Sequence, residues 1–244
     1  MTRPVLLAAL TSAVLGVATM LPLAAWAQEA TDGAATQAPA ATEGATTAAP
    51  AAEATGDQAA ATDPATVTIP DMAEGAADAP VTIIEYGSFT CPHCAAWHHD
   101  VYPQLKTDYI DTGKVRFIFR EVYFDRFGLW ASMIARCGGE MRFFPIADML
   151  YDQQRDWIGD QQPQTIADNL RRLGLSAGLG QDQLDACLKD ETQAQSLVAW
   201  YQSNAETDGI DSTPTFLING EKHSGEMPYD EFKGYVDAQL AAAQ

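Results

Sequence analysis

The stretch Val81-Thr82-Ile83-Ile84-Glu85-Tyr86-Gly87-Ser88-Phe89-Thr90-Cys91-Pro92-His93-Cys94 decides how the rest of the chain is read. Its first six residues are β-branched and apolar enough for a central strand. Cys91 and Cys94 then stand three residues apart at a predicted helix start. Pro92 suits the first helical position, where its missing N–H costs nothing. One helical turn brings two such sulfurs within bonding reach, which suits reversible disulfide chemistry. Cys91 is expected at the exposed end of the pair. There the free N–H groups and positive dipole of the helix favour its thiolate, and His93 supplies further positive charge or a hydrogen bond.

Working outward toward the C-terminus, the helical pattern runs from Pro92 to about Ile110, with Trp97, Val101, Leu105 and Tyr109 spaced by four on one face. Pro103 lies inside it and is predicted to kink it. Asp111-Thr112-Gly113 ends the helix, and Val115 to Phe119 follows as a second strand, parallel to the first because a helix connects them. From 125 to about 206 no strand pattern occurs. The composition there predicts several helices broken at Gly138-Gly139, Pro145, Gly159 to Pro163 and Gly174 to Gly180. Thr215 to Ile218, the turn Asn219-Gly220 and a strand around Lys222 to Ser224 read as a hairpin. A last helix opening at Pro228 is predicted to bury Phe232, Tyr235, Val236 and Leu240. This is an α/β order.

Toward the N-terminus, Val67 to Ile69 is a short strand candidate. Residues 28 to 65 are Ala, Thr, Pro, Gly and acid, without Lys or Arg, and read as a disordered low-complexity tether. Residues 1 to 27 read as a secretory signal peptide: Arg3, an apolar run from Val5 to Leu23, and Ala25-Trp26-Ala27 as the cleavage signal. The apolar run approaches the length of a membrane span, so a retained anchor is the competing reading. Residues 66 to 244 remain for one domain with a full core. The chain carries a net charge of −19, and six of its acids lie in the tether. The acids still outnumber the bases in the folded part, a field that argues against nucleic acid as a partner.

Four cysteines behind a signal peptide indicate an oxidising compartment. Cys137 and Cys187 are expected to form a structural disulfide within the helical insert, contributing ~4 kcal/mol in the chain-entropy view. Two buried free thiols and a second redox pair are the alternatives. A zinc site at Cys91 and Cys94 lacks further ligands at suitable spacing, so no metal is expected. His98, His99 and His223 are read as exposed residues, and Trp157 and Trp200 as core of the insert. Phe89, Thr90 and the edge around Met227 are expected to border an apolar substrate groove.

Glu85 to Cys94, the kinked helix, Arg116 to Arg120, the helical insert, Ser212-Thr213-Pro214-Thr215 and the closing hairpin and helix resemble the DsbA family of periplasmic thiol-disulfide oxidoreductases. The resemblance covers nearly everything after residue 66. It implies a thioredoxin fold with an inserted helical subdomain, and a cis Pro214 that faces the active-site pair with Thr213 to receive a substrate chain. It further implies that Glu85 is a buried acid able to relay the proton of Cys94. A basic partner for that acid is implied on the neighbouring strand, but Phe119 falls at the aligned place and Arg120 has the opposite parity.

The expected activity is transfer of the Cys91–Cys94 disulfide to reduced secreted or periplasmic proteins. The expected actor is a periplasmic monomer with no cofactor beyond that redox-active disulfide, and a DsbB-type membrane partner reoxidises it. A disulfide isomerase or reductase of the same fold is the closest rival. Such enzymes usually carry a folded dimerisation domain ahead of the catalytic one, and the tether offers no core for one. A copper or zinc chaperone using Cys91, Cys94 and His93 is the rival from another class.

Overall fold

The computed structural model describes residues 68–243. Residues 1 to 27, read as a signal peptide, and the whole of the tether at 28 to 65 therefore lie outside the described residues. Two β-elements come first, β1 (Met72–Glu74) and β2 (Val81–Gly87). After β2 come α1 (Pro92–Asp100), α2 (Tyr102–Leu105), a π-helical turn over Lys106–Ile110, and β3 (Val115–Glu121). Six helices follow: α3 (Arg126–Cys137), α4 (Glu140–Asp152), α5 (Gln154–Ile158), α6 (Pro163–Ser176), α7 (Gln181–Leu188) and α8 (Glu191–Asp208). The chain returns through β4 (Thr215–Ile218), β5 (Glu221–Ser224) and α9 (Tyr229–Ala242).

The sheet order is β1-β3-β2-β4-β5, with β2 and β3 parallel and every other neighbour antiparallel. β2 is thus central, as its apolar run predicts, and Glu85 pairs in register with Phe119 on one side and Phe216 on the other. The core beneath it is aromatic: Trp97 packs against Phe117, Phe216 and Phe232. Trp97, Val101, Leu105 and Tyr109 are all buried, as their spacing requires.

Several expectations are corrected. The first strand lies at Met72–Glu74, where it pairs with β3, while Thr68 and Ile69 precede it outside any strand. Ile69 is buried instead against Met133 and Leu197. The helix expected from Pro92 to Ile110 is in three pieces. Pro103 offers no N–H to the His99 carbonyl, so the chain opens at Val101 and Pro103 becomes an early residue of α2, where a donor is not needed. The last piece slips to π spacing, with Asp111 N–H donating to the Lys106 carbonyl.

Pro145 was expected to break a helix and instead lies inside α4. The carbonyl it leaves unpaired belongs to Met141, which is 94% exposed, on the solvent side of the helix. Trp157 is buried core, whereas Trp200 is only partly buried and stacks on the Arg136 guanidinium. Cys137 and Cys187 are joined in a disulfide between α3 and α7.

Candidate active site

β2 delivers the chain to the helix start through Gly87-Ser88-Phe89-Thr90. The approach is tied down on both sides. Thr90 Oγ1 donates to Asp125, whose other oxygen caps α3 by accepting from the Phe127 and Gly128 N–H groups. Gln154 Nε2, at the start of α5 in the helical insert, donates to the carbonyls of Phe89 and Cys91 at 2.9 Å each. Phe89 does not border a substrate groove as expected. It is buried against Phe119 and Tyr151, because Gln154 holds its carbonyl inward.

Cys91 is the N-cap residue of α1 and Pro92 the first helical residue. Both cysteines are free thiols, so this is the reduced state. Cys91 is 8% exposed and Cys94 fully enclosed. The outer member of the pair is therefore nearly buried too. The Cys91 thiol donates to the Thr213 carbonyl at 3.6 Å, and the Thr213–Pro214 peptide bond is cis. A groove of about 670 Å3 on this side is lined by His93, Thr213, Glu226, Met227 and Tyr229.

The two thiols are driven apart in acidity. Cys91 is lowered from 9.0 to about 5, chiefly because the Cys94 thiol donates to its thiolate; burial opposes this, and the Thr213 side chain and the N–H groups of Cys94 and His93 add to it. Cys94 is pushed well above its ordinary range by burial first, then by its bond to Cys91 and by the nearby Glu85 charge. His93 thus acts on Cys91 through its backbone. Its ring is turned to the rim, with Nδ1 3.0 Å from Glu226.

Glu85 is fully buried, and its partner is His98: the Nε2–H donates to Oε2 at 2.8 Å. His98 is 7% exposed, which corrects its reading as an exposed helical residue. The signal for this was available in the spacing, since His98 lies four residues after Cys94, on the inward face of α1. Arg120 faces away from the site, as its parity implies, and binds Asp71, Asp208 and the Tyr86 hydroxyl. Gly87 leaves Glu85 the space it needs, for a Cβ there would sit 2.9 Å from Oε1. His99 is exposed as expected, beside Asp152. His223 is not: its ring packs on Tyr235, with centroids 4.0 Å apart, and only 10% of the side chain meets solvent. Among the described residues no group of three or more His, Cys, Asp or Glu is placed to hold a metal.

The site thus joins a thiol of low pKa, a protonated buried thiol, a buried acid with its imidazole, and the Thr213 carbonyl beside the Cys91 sulfur. Residues 67–238 match the family model described as thioredoxin. A Rickettsia bellii protein named as a candidate protein-disulfide oxidoreductase is 32% identical over 62% of this chain. The chain spans 57% of that protein's length. Disulfide bond formation protein D of Bacillus subtilis is 29% identical over 68% of this chain and 75% of its own. Among solved structures, Wolbachia pipientis alpha-DsbA1 superposes with a TM-score of 0.66 at 29% identity, covering 73% of this chain and 96% of that one. Oxidised BdbD of Bacillus subtilis gives 0.63 at 27% identity, covering 70% and 93%.

Proposed function

The chain belongs to the thioredoxin family, among its DsbA-like members, and from that premise we propose that it is a protein dithiol oxidase which gives its Cys91–Cys94 disulfide to reduced proteins. A substrate thiolate attacks the Cys91 sulfur, the Cys91–Cys94 bond breaks, and its electron pair goes to Cys94, which takes up a proton. A second substrate thiolate then attacks the substrate sulfur of the mixed disulfide. Cys91 leaves as thiolate, and the substrate departs oxidised by two electrons. Cys91, Pro92, His93, Cys94 and Glu85 form the catalytic set, and the Thr213–Pro214 edge receives the substrate chain by strand-like pairing.

The observation that carries this reading is the split between the two thiols, with Cys91 lowered to about 5 and Cys94 raised. A low-pKa Cys91 is a good leaving group and stabilises the reduced pair, so the disulfide is readily given away. The resemblance to DsbA-type proteins supports the periplasm as the place of action, reduced secreted or periplasmic proteins as substrates and a DsbB-type membrane protein as the reoxidant. Among the described residues no helix is long and apolar enough to cross a membrane.

The test is direct transfer. Oxidised protein mixed with an equal amount of a reduced dithiol peptide should yield oxidised peptide and reduced Cys91–Cys94. If the peptide stays reduced while the pair stays oxidised, the reading is wrong.

A further inference from the structure

Cys94 must gain a proton when the disulfide opens and lose one when it re-forms, yet it is fully enclosed. Glu85 is equally enclosed. Neither group exchanges a proton with water directly, so the oxidase reading leaves the last part of the proton's route unassigned.

His98 supplies it. Its Nε2 holds Glu85 Oε2, and its Nδ1 is buried with no hydrogen-bond partner among the described residues. Glu85 Oε1, the oxygen that His98 leaves free, also has none. The imidazole lies flat on the Tyr151 ring, with centroids 4.1 Å apart, and against Tyr102 at 4.9 Å. It forms part of the wall of a cleft of about 210 Å3 between α1–α2 and α4, which is lined also by Pro103, Lys106, Asp148 and Asp152. A cleft of that size lined by polar groups has room for water. The opening of the helix at Pro103 lies on the same cleft.

We propose that His98 is the positioning residue that carries the proton between Glu85 and the Pro103–Asp148 cleft. This rests on the oxidase reading. As the disulfide opens, Glu85, which holds a proton on its free oxygen in the oxidised protein, gives that proton to the Cys94 sulfur and becomes the carboxylate that His98 Nε2–H holds; His98 Nδ1 then takes a proton from water in the cleft while Nε2 passes one to Glu85. Reoxidation runs the sequence backward. The balance over one turnover is two protons and two electrons lost by the substrate dithiol, with one proton retained on Cys94 and the other released, since Cys91 ends as thiolate.

The charged and titratable groups that face this imidazole come from every element around it. Glu85 is on β2, Cys94 on its own helix, Tyr102 on α2, and Tyr151 and Asp148 on α4, where Asp148 interacts electrostatically with His98. Glu74 of β1 stands behind Tyr102 and Lys106, bonded to both. The charged groups around the cleft are thus mostly carboxylates, with Lys106 the base among them.

The experiment uses the oxidised full chain and a reduced dithiol peptide in single turnover across about pH 5 to 9. His98→Ala should slow peptide oxidation about tenfold, less than a directly acting acid or base supplies because His98 works through Glu85. Added imidazole should restore most of that rate. His98→Gln keeps a donor to Glu85 but carries no proton, and should remain slow although folded, with Cys91 still ionised in its reduced form. The wild-type to Gln rate ratio should change with pH, as a purely structural role would not make it do. A wild-type rate in His98→Gln, or a slow His98→Ala that imidazole does not rescue, overturns the proposal and leaves the oxidase reading standing. A wild-type protein that oxidises no peptide removes the oxidase reading itself.

Discussion

The Glu85 carboxylate and the His98 imidazole meet at 2.8 Å with both side chains closed to solvent, one from the central strand and one from the active-site helix. The contact therefore ties α1 to the sheet.

Removing one member of such a pair strands the other without a partner in the interior. His98→Leu is expected to destabilise the protein by about 3 kcal/mol, whereas the double change Glu85→Leu with His98→Leu costs less than the single one. Denaturant unfolding of the four species checks this. Additive losses would mean that the two side chains do not depend on each other.

The acidity of Cys91 has a sign that can be followed in stability. The folded thiol ionises at about 5 against an ordinary 9.0. Stabilisation of the reduced form is then fully present above the unfolded value and is lost as pH falls through about 5. The oxidised form has no thiol to titrate. The melting temperature of the reduced protein should therefore rise relative to that of the oxidised protein between about pH 4 and pH 8. Because the Cys94 thiol is the main cause, Cys94→Ala should raise the pKa of Cys91, and Cys94→Ser, which keeps a donor, should raise it less. Alkylation rate against pH measures both.

Gln154 satisfies two buried carbonyls at once, those of Phe89 and Cys91. Gln154→Leu leaves the Phe89 carbonyl unpaired, while the Cys91 carbonyl keeps the Ala95 N–H, and is expected to cost about 1 to 3 kcal/mol. Thermal unfolding should show the loss, together with faster alkylation of Cys91 as its turn loosens. An unchanged melting temperature would mean that water replaces the amide without cost.

The Cys137–Cys187 bridge closes a loop of sequence separation 50. Changing both cysteines to Ala should lower stability by about 2 to 4 kcal/mol, the chain-entropy expectation reduced by relaxation of the unfolded state. The alkylation profile of Cys91 should stay as it is. A shifted profile would tie the bridge to the redox site.

What the sequence disclosed followed from local chemistry. The apolar run of β2, the cysteine pair at a helix start, the Asn219-Gly220 turn and the four-residue spacing of Trp97 to Tyr109 are each written within a few neighbours; β2, the start of α1 and the β4–β5 turn stand where they are expected, and Trp97 to Tyr109 are buried although their helix is in three pieces. Phe119 does lie opposite Glu85. His98 was within reach of the same reasoning, yet a histidine beside another histidine on a helix reads as solvent-facing unless the inward side of the helix is known. Gln154 was not legible, because its partners lie more than sixty residues away and only tertiary packing joins them. Pro103 and Pro145 show the limit of a local rule: the same missing N–H opens one helix and leaves the other continuous, according to what surrounds the freed carbonyl.

The central claim is that the Cys91–Cys94 disulfide is a strong oxidant, because the reduced pair is stabilised by an acidic Cys91. Equilibration of the protein with glutathione buffers gives its reduction potential. The account predicts a value of about −120 mV, in the range of strongly oxidising DsbA-type proteins, and a value of about −270 mV, that of thioredoxin, would contradict it.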